Sequence, residues 1–216
     1  MNHWMNNIRY GNPTDALLVE LQSKSSLDSL LDELKQYPYP PNESETTQDE
    51  LRELLQYQSS DEQKNDALVQ RYIDYDKDLK DAFFEFCDDN GISEGAELIE
   101  AIIEETKPLI AKLKYFYNRP RPFQLAYYYK AKLIPYSSYN AMTPSYPSGH
   151  VLQAYLLSEI IGSKYPQHYE TLTYLANDIE KSRLFLGLHF GTDNDFARIC
   201  VDRIIRDRSF TKQYGI

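Results

Sequence analysis

The chain has 216 residues, of which 42% are hydrophobic and 26% charged, and its formal net charge at pH 7 is −10. This length suits one globular domain, and the composition excludes disordered and fibrous proteins. The longest mostly apolar stretch, residues 151–161, is about half as long as a bilayer span, and no secretory signal is visible. We therefore predict no membrane insertion and a cytoplasmic location; a periplasmic one would need a leader beyond this sequence. Cys87 and Cys200 lack metal-binding spacing, so reduced thiols are expected.

The first ninety residues are predicted to form helices separated by loops. Leucines spaced by threes and fours predict helical structure over residues 16–37, and three prolines make residues 37–45 a loop. Thr46 or Thr47 is a candidate cap for the next helix. Apolar residues near a 3.6-residue period predict one helix over residues 67–87, which an Asn-Gly pair ends.

The second half of the chain is also predicted to be helical. Ser93 is the expected cap of a helix that runs to about Thr106, with a kink or restart at Pro108 and an end at Pro120 and Pro122. A Tyr-rich connection follows, and further helices are predicted over residues 149–162, 167–187 and 193–207. Few segments alternate with a period of two.

The predicted fold class is all-α. We expect a single-domain helical bundle over residues 1–216 whose site lies at helix ends and connecting loops. Within it, residues 1–60 would supply N-terminal helices and a Pro-rich loop, and residues 93–208 the catalytic core.

Positive and negative charges are segregated along the sequence. Residues 106–158 contain seven Lys and Arg but no Asp or Glu, whereas the remainder carries all 33 acidic residues. An acidic protein repels anions on average, so this split predicts a local anion site within an acidic exterior. The chain has no extended basic groove, which argues against a nucleic acid polymer as partner.

The first motif is a pair of cations near a predicted helix end. Lys114 is followed, after six residues, by Arg121 and Pro122. The lysine lies on the last helical turns and the arginine just beyond, so both charges can converge on one side. Lys112 and Arg119 satisfy the same spacing.

The second motif is Pro-Ser-Gly-His at a predicted helix start. Ser148 is placed to cap the helix, and Gly149 allows the backbone to approach a ligand closely. The unpaired amides of a helix N-terminus favour an anion there. His150 follows within the first turn.

The third motif places an arginine, a histidine and an aspartate around a loop. Arg183 precedes His189 by six positions, and Asp193 follows four positions later. An aspartate behind a histidine commonly orients the imidazole ring. Each motif alone is a weak signal, because such residues also occur in ordinary solvated surfaces and helix pairs.

Together, in this order, the three motifs resemble the signature of the type 2 phosphatidic acid phosphatase superfamily. That superfamily also holds the bacterial class A non-specific acid phosphatases and the vanadium-dependent haloperoxidases. The resemblance covers residues 114–193. The chain is most similar to the soluble class A acid phosphatases, whose pattern of Lys, Arg and Arg-Pro-Phe selects Lys114 and Arg121 over the other register.

The resemblance implies a role for each matched residue. His189 would be the nucleophile that forms a phosphohistidine, Asp193 would orient its ring, and His150 would act as acid and base. The expected phosphate ligands are Lys114, Arg121, Ser148, Gly149 and Arg183, with Lys112 and Arg119 as outer charges. No metal or cofactor is implied, and vanadate is expected to bind as a phosphate mimic.

The implied activity is metal-independent hydrolysis of a small phosphomonoester such as a nucleotide or sugar phosphate. Three alternatives remain open: a vanadium-dependent haloperoxidase, a phosphate- or nucleotide-binding protein without turnover, and a lipid phosphate phosphatase acting from the soluble phase. A metal site made of His150, His189 and Asp193 is chemically possible, but three adjacent cations would repel a divalent ion. By analogy with the family, a homodimer is a further expectation.

Overall fold

A computed structural model of the chain describes residues 4–138 and 140–216. These ranges contain helices and no β-strand, so the all-α prediction is confirmed. The α-helices are α1 (Asp15–Gln22), α2 (Leu31–Leu34), α3 (Glu45–Ser59), α4 (Asp66–Lys77), α5 (Leu79–Asp89), α6 (Gly95–Tyr117), α7 (Pro122–Tyr128), α8 (Gly149–Lys164), α9 (Tyr169–Phe185), α10 (Gly191–Ile204) and α11 (Arg208–Tyr214). Short 3₁₀ segments span Trp4–Asn7, Ser26–Leu30, Asp61–Lys64 and Pro166–His168.

The single helix predicted over residues 67–87 is wrong, because Asp78 divides it into α4 and α5. Asp78 has an extended backbone (φ −154°, ψ 105°), and its carboxylate accepts a hydrogen bond from the Lys80 amide. An aspartate in this position satisfies one of the free amides at a helix start. The apolar period continues across the break, so the pattern alone does not reveal it.

The prolines also act differently from the prediction. α6 is one helix that contains Pro108, and it ends at Tyr117, before Asn118, whose φ of 50° is left-handed. Pro122 begins α7 instead of forbidding a helix, since proline fits the first helical position, where no backbone donor is needed. α6 begins at Gly95, so Ser93 does not cap it.

The helix caps also correct the prediction for α3. Its cap is Ser44, whose hydroxyl accepts from the Thr47 amide at 3.1 Å, and neither Thr46 nor Thr47 takes that place. The last helix, α11, was not predicted. Asp207 caps it by accepting from the amides of Ser209 and Phe210.

The hydrophobic core is centred on α8. This helix buries residues all around its circumference, including Val151, Leu156 and Ile160, as a helix at the middle of a bundle does. α9, α10 and α6 pack against it. Both cysteines are free and buried. Within the described ranges, no helix has the length and apolar character that crossing a membrane would require.

A glycine at the start of α6 provides a test of this packing. A Cβ on Gly95 would lie 2.5 Å from Cys87 Cβ and 2.6 Å from its sulfur. We expect Gly95→Ala to lower the free energy of unfolding by about 1–3 kcal/mol, because α5 and α6 must separate. Urea unfolding followed by circular dichroism measures it. In the control Gly191→Ala, the nearest atom is 3.7 Å away and no loss is expected; equal stability of the two variants would contradict the packing.

Candidate functional site

Three helix ends and one loop meet at a cavity of about 430 Å³. They are the C-terminal turns of α6 and α9, the first turn of α8, and the loop before α10. Of the residues predicted from the sequence, the cavity is lined by Lys114, Arg121, Gly149, His150, Arg183 and His189. Ser148 and Asp193 are fully buried next to these residues. The structure thus gathers all eight residues that the three motifs supply.

Backbone carbonyls hold the two cations of the first motif. Arg121 donates from Nε to the Thr143 carbonyl and from NH1 to the Leu188 carbonyl, both at 2.8 Å. Lys114 donates from Nζ to the Pro144 carbonyl at 2.5 Å. The loop that precedes the second motif therefore fixes the cations of the first.

Arg183 is 1% exposed, and only some of its hydrogen-bond donors have a partner. Its NH2 donates to Asp76 Oδ1 at 2.8 Å. Within residues 4–138 and 140–216, its Nε and NH1 have no partner, and neither has the buried Ser148 hydroxyl. Buried donors are seldom left unpaired. Unused donors beside a cationic cavity are suited to a ligand rich in acceptor oxygens, as phosphate is.

Hydrogen bonds define the protonation of the His189 ring. Its Nδ1 lies 3.2 Å from Asp193 Oδ2, and its Nε2 lies 2.8 Å from Arg121 NH1. A carboxylate only accepts and a guanidinium only donates. Nδ1 therefore carries the proton, and the Nε2 lone pair lies on the side of the cavity cations.

His150 is oriented by the backbone of α4. Its Nε2 lies 3.2 Å from the carbonyl oxygen of Asp76, to which it donates. In the neutral ring the Nδ1 lone pair is then free to accept a proton. The same aspartate thus contacts His150 through its backbone and Arg183 through its side chain.

The cavity lowers the pKa of its basic groups. Burial, followed by the charge of Arg121, holds the pKa of His189 well below its ordinary value, and burial with Arg183 does the same for His150. Burial and Arg121 also lower the pKa of Lys114, and burial lowers that of Arg121 to about 10. Positive charge in a poorly solvated space is costly, so a bound dianion would stabilise the charged form of each of these groups.

Comparison with known families agrees with this geometry. Residues 98–199 match the model of the PAP2 superfamily and include all eight motif residues. This segment of the chain belongs to the PAP2 superfamily. No curated protein matches the sequence.

The two outer charges predicted for the PAP2 site lie in different places. Arg119 is fully buried and donates to Asp193 Oδ1 at 2.6 Å, directly behind the cavity. Lys112 instead pairs with Asp28 at 2.6 Å and donates to the Ser23 carbonyl, away from the cavity lining. The reason is helical geometry: residues two positions apart do not share a face, so α6 directs Lys112 away from Lys114.

Two acidic residues of the PAP2 site were not predicted. Asp76 on α4 binds Arg183, and Glu50 on α3 binds Arg119 at 3.1 Å. Both come from the part of the chain that the motifs do not cover. That part is rich in acidic residues, and no sequence signal separates a buried carboxylate from the solvated ones around it.

The lowered pKa values predict that anion binding takes up protons. Sulfate stays a dianion between pH 5.5 and 8, and by raising the pKa of His150, His189 and Lys114 it would favour their charged forms. Its affinity should therefore fall as pH rises, by up to about tenfold per pH unit for each proton taken up. Titration calorimetry in buffers of different ionisation enthalpy measures this. A sulfate affinity independent of pH, at ionic strength matched with chloride, would contradict it.

Proposed function

We propose that this PAP2 protein is an acid-phosphatase-like phosphomonoesterase that hydrolyses small phosphate esters without a metal ion, through a phosphohistidine. The observation that carries the proposal is the set of unused donors on Arg183 and Ser148, which adjoin the cavity that Lys114 and Arg121 line. Three fixed cations can neutralise the charge that spreads over the equatorial oxygens of a transferring phosphoryl group.

In the first step, Nε2 of His189 attacks phosphorus and the bond to the leaving oxygen breaks. Asp193 keeps the proton on Nδ1 and stabilises the positive charge that develops on the ring. Arg121 NH1, which donates to Nε2 in the structure, turns to a phosphate oxygen. The dianion raises the pKa of His150, which then gives its proton to the leaving oxygen.

In the second step, water replaces the histidine. His150, now neutral, takes a proton from the water as its oxygen attacks phosphorus, and the P–N bond breaks. His189 regains its neutral ring and inorganic phosphate leaves. One ester and one water thus become one alcohol and one phosphate, and both histidines return to their starting forms.

Replacement of His189 tests the nucleophile. We expect the wild-type chain to hydrolyse p-nitrophenyl phosphate in EDTA, to be inhibited by vanadate, and to lose about a thousandfold or more in kcat on His189→Ala. His168→Ala is the matched control, because this histidine packs edge-on against Phe86 and does not line the cavity. Undiminished turnover in His189→Ala would rule out the proposed intermediate.

The same preparation separates the other activities. Vanadate with peroxide and bromide should abolish phosphatase turnover, whereas a haloperoxidase would begin to oxidise bromide. Phosphate binding with no hydrolysis across a broad ester panel would indicate a binding protein.

A second candidate is an ester with an apolar leaving group, because the α6 side chains that line the cavity beyond Lys114 are apolar apart from Lys107. Ile103, Ile110 and Ala111 lie on the cavity face of α6 together with Lys114. Ile103 and Lys114 are eleven residues apart, about 16 Å along a helix. Leu17 of α1 also lines the cavity. This apolar strip suits a lipid-like phosphate presented in solution, whereas charged lining residues such as Lys77 and Lys80 suit a sugar phosphate.

A pair of α1 variants tests the apolar wall. Leu17→Ser should lower kcat/KM for octyl phosphate about three- to tenfold, because part of a leucine contact is lost, and should leave glycerol phosphate unaffected. Val19→Ser is the control, since Val19 is 69% exposed and lies outside the cavity lining. Steady-state kinetics on both esters decides between the classes. An equal effect on both esters would contradict an apolar leaving-group site.

A further inference from the structure

Arg119 connects the site to the N-terminal helices through a buried network. Its NH1 donates to Asp193 Oδ1 at 2.6 Å and to the Thr192 hydroxyl at 2.8 Å, and its NH2 donates to Glu50 Oε2 at 3.1 Å. None of its side chain is exposed. One guanidinium therefore joins the aspartate behind His189 to a glutamate on α3.

Glu50 holds the other side of the same network. Its Oε1 accepts from both the amide and the hydroxyl of Thr192, at 2.6 and 2.7 Å. Thr192 is the second residue of α10, so the carboxylate also meets the positive end of that helix. α3 thereby fixes the start of the helix that carries Asp193.

Aromatic rings leave the Arg119 guanidinium little freedom. Its carbon lies 4.1 Å from the centre of the Phe190 ring, 5.2 Å from that of Tyr39 and 5.9 Å from that of Tyr146. Arginine suits such a place because its planar group stacks on rings and donates to two carboxylates at once. A lysine could keep the charge but could not keep both contacts.

Each oxygen of Asp193 is consequently committed to a different partner. Oδ1 is held by Arg119, and Oδ2 accepts from His189 Nδ1 and from the Phe190 amide at 2.9 Å. Although burial raises the pKa of Asp193, the charge of Arg119 and the bond from His189 leave it well below its ordinary value. The carboxylate stays ionised and cannot rotate without breaking a buried ion pair.

We propose that Arg119 and Glu50 are positioning residues that fix Asp193, and through it the tautomer and the angle of the His189 ring. This inference rests on the proposed nucleophilic role of His189. Neither residue lines the cavity. Their loss should therefore reduce the rate of phosphoryl transfer more than the binding of the ester.

Two conservative variants test the proposal. Glu50→Gln keeps the shape of the side chain but places an amide against Arg119, and Arg119→Lys keeps the charge without the bridge. We expect kcat for p-nitrophenyl phosphate to fall about tenfold or more, as for other outer partners of a functional histidine, with KM changed less than twofold. The proton NMR signal of His189 Nδ1–H, assigned by its loss in His189→Asn, should move upfield in both variants.

Glu180→Gln is the matched control, because Glu180 also pairs with an arginine, Arg198, at 3.1 Å but lies outside the cavity. Its kcat and its Nδ1–H signal should equal those of the wild type. Wild-type kcat and an unmoved signal in folded Glu50→Gln would overturn the proposal. A lower kcat together with a higher KM and a lower melting temperature would also overturn it, since this combination indicates a structural role only.

The NMR measurement separates this inference from the proposed function. If His189→Ala keeps full turnover, the nucleophilic role fails whatever the network does. A shifted Nδ1–H signal in Glu50→Gln would still show that the network controls the His189 ring. If the signal does not shift and turnover still depends on His189, the positioning role of the network fails and the proposed function stands.

Discussion

The structure depends on the burial of three cations around one cavity. Three cationic side chains are almost fully buried, those of Lys114, Arg121 and Arg183. Each charge must therefore be compensated by the protein or by a ligand. Carbonyls of the 143–144 loop and of residue 188 satisfy part of this need, and Asp76 satisfies another part. The hydrogen-bond donors that remain without a partner among the described residues can bind a tetrahedral dianion.

This requirement explains the segregation of charge along the chain. The acid-free segment, residues 106–158, supplies two of the cations and the second motif. The carboxylates that steady the site come from outside that segment, from α3, α4 and the start of α10. Acidic helices packed around a cationic centre keep the exterior negative while the interior attracts anions.

The two histidines are held by different kinds of acceptor. His189 is backed by the ionised carboxylate of Asp193, which stabilises a positive ring, as the proposed role of nucleophile requires. His150 donates to the neutral carbonyl of Asp76, which fixes the ring without adding negative charge. The proposed acid–base role of His150 benefits from that weaker partner, because the pKa of the ring would then respond to a bound phosphate.

The sequence by itself determined the all-α class and the eight residues of the three motifs, because helical periodicity and motif spacing are local properties. It also named Lys112 and Arg119 together as outer charges, of which only Arg119 contacts a site residue. Only the tertiary structure decided that α4 and α5 are separate helices, that Lys112 faces Asp28, and that Asp76 and Glu50 belong to the site. Those contacts join segments 69 to 107 positions apart along the chain. In an acidic chain the partner of a buried arginine is selected by packing, and no single stretch of sequence records that choice.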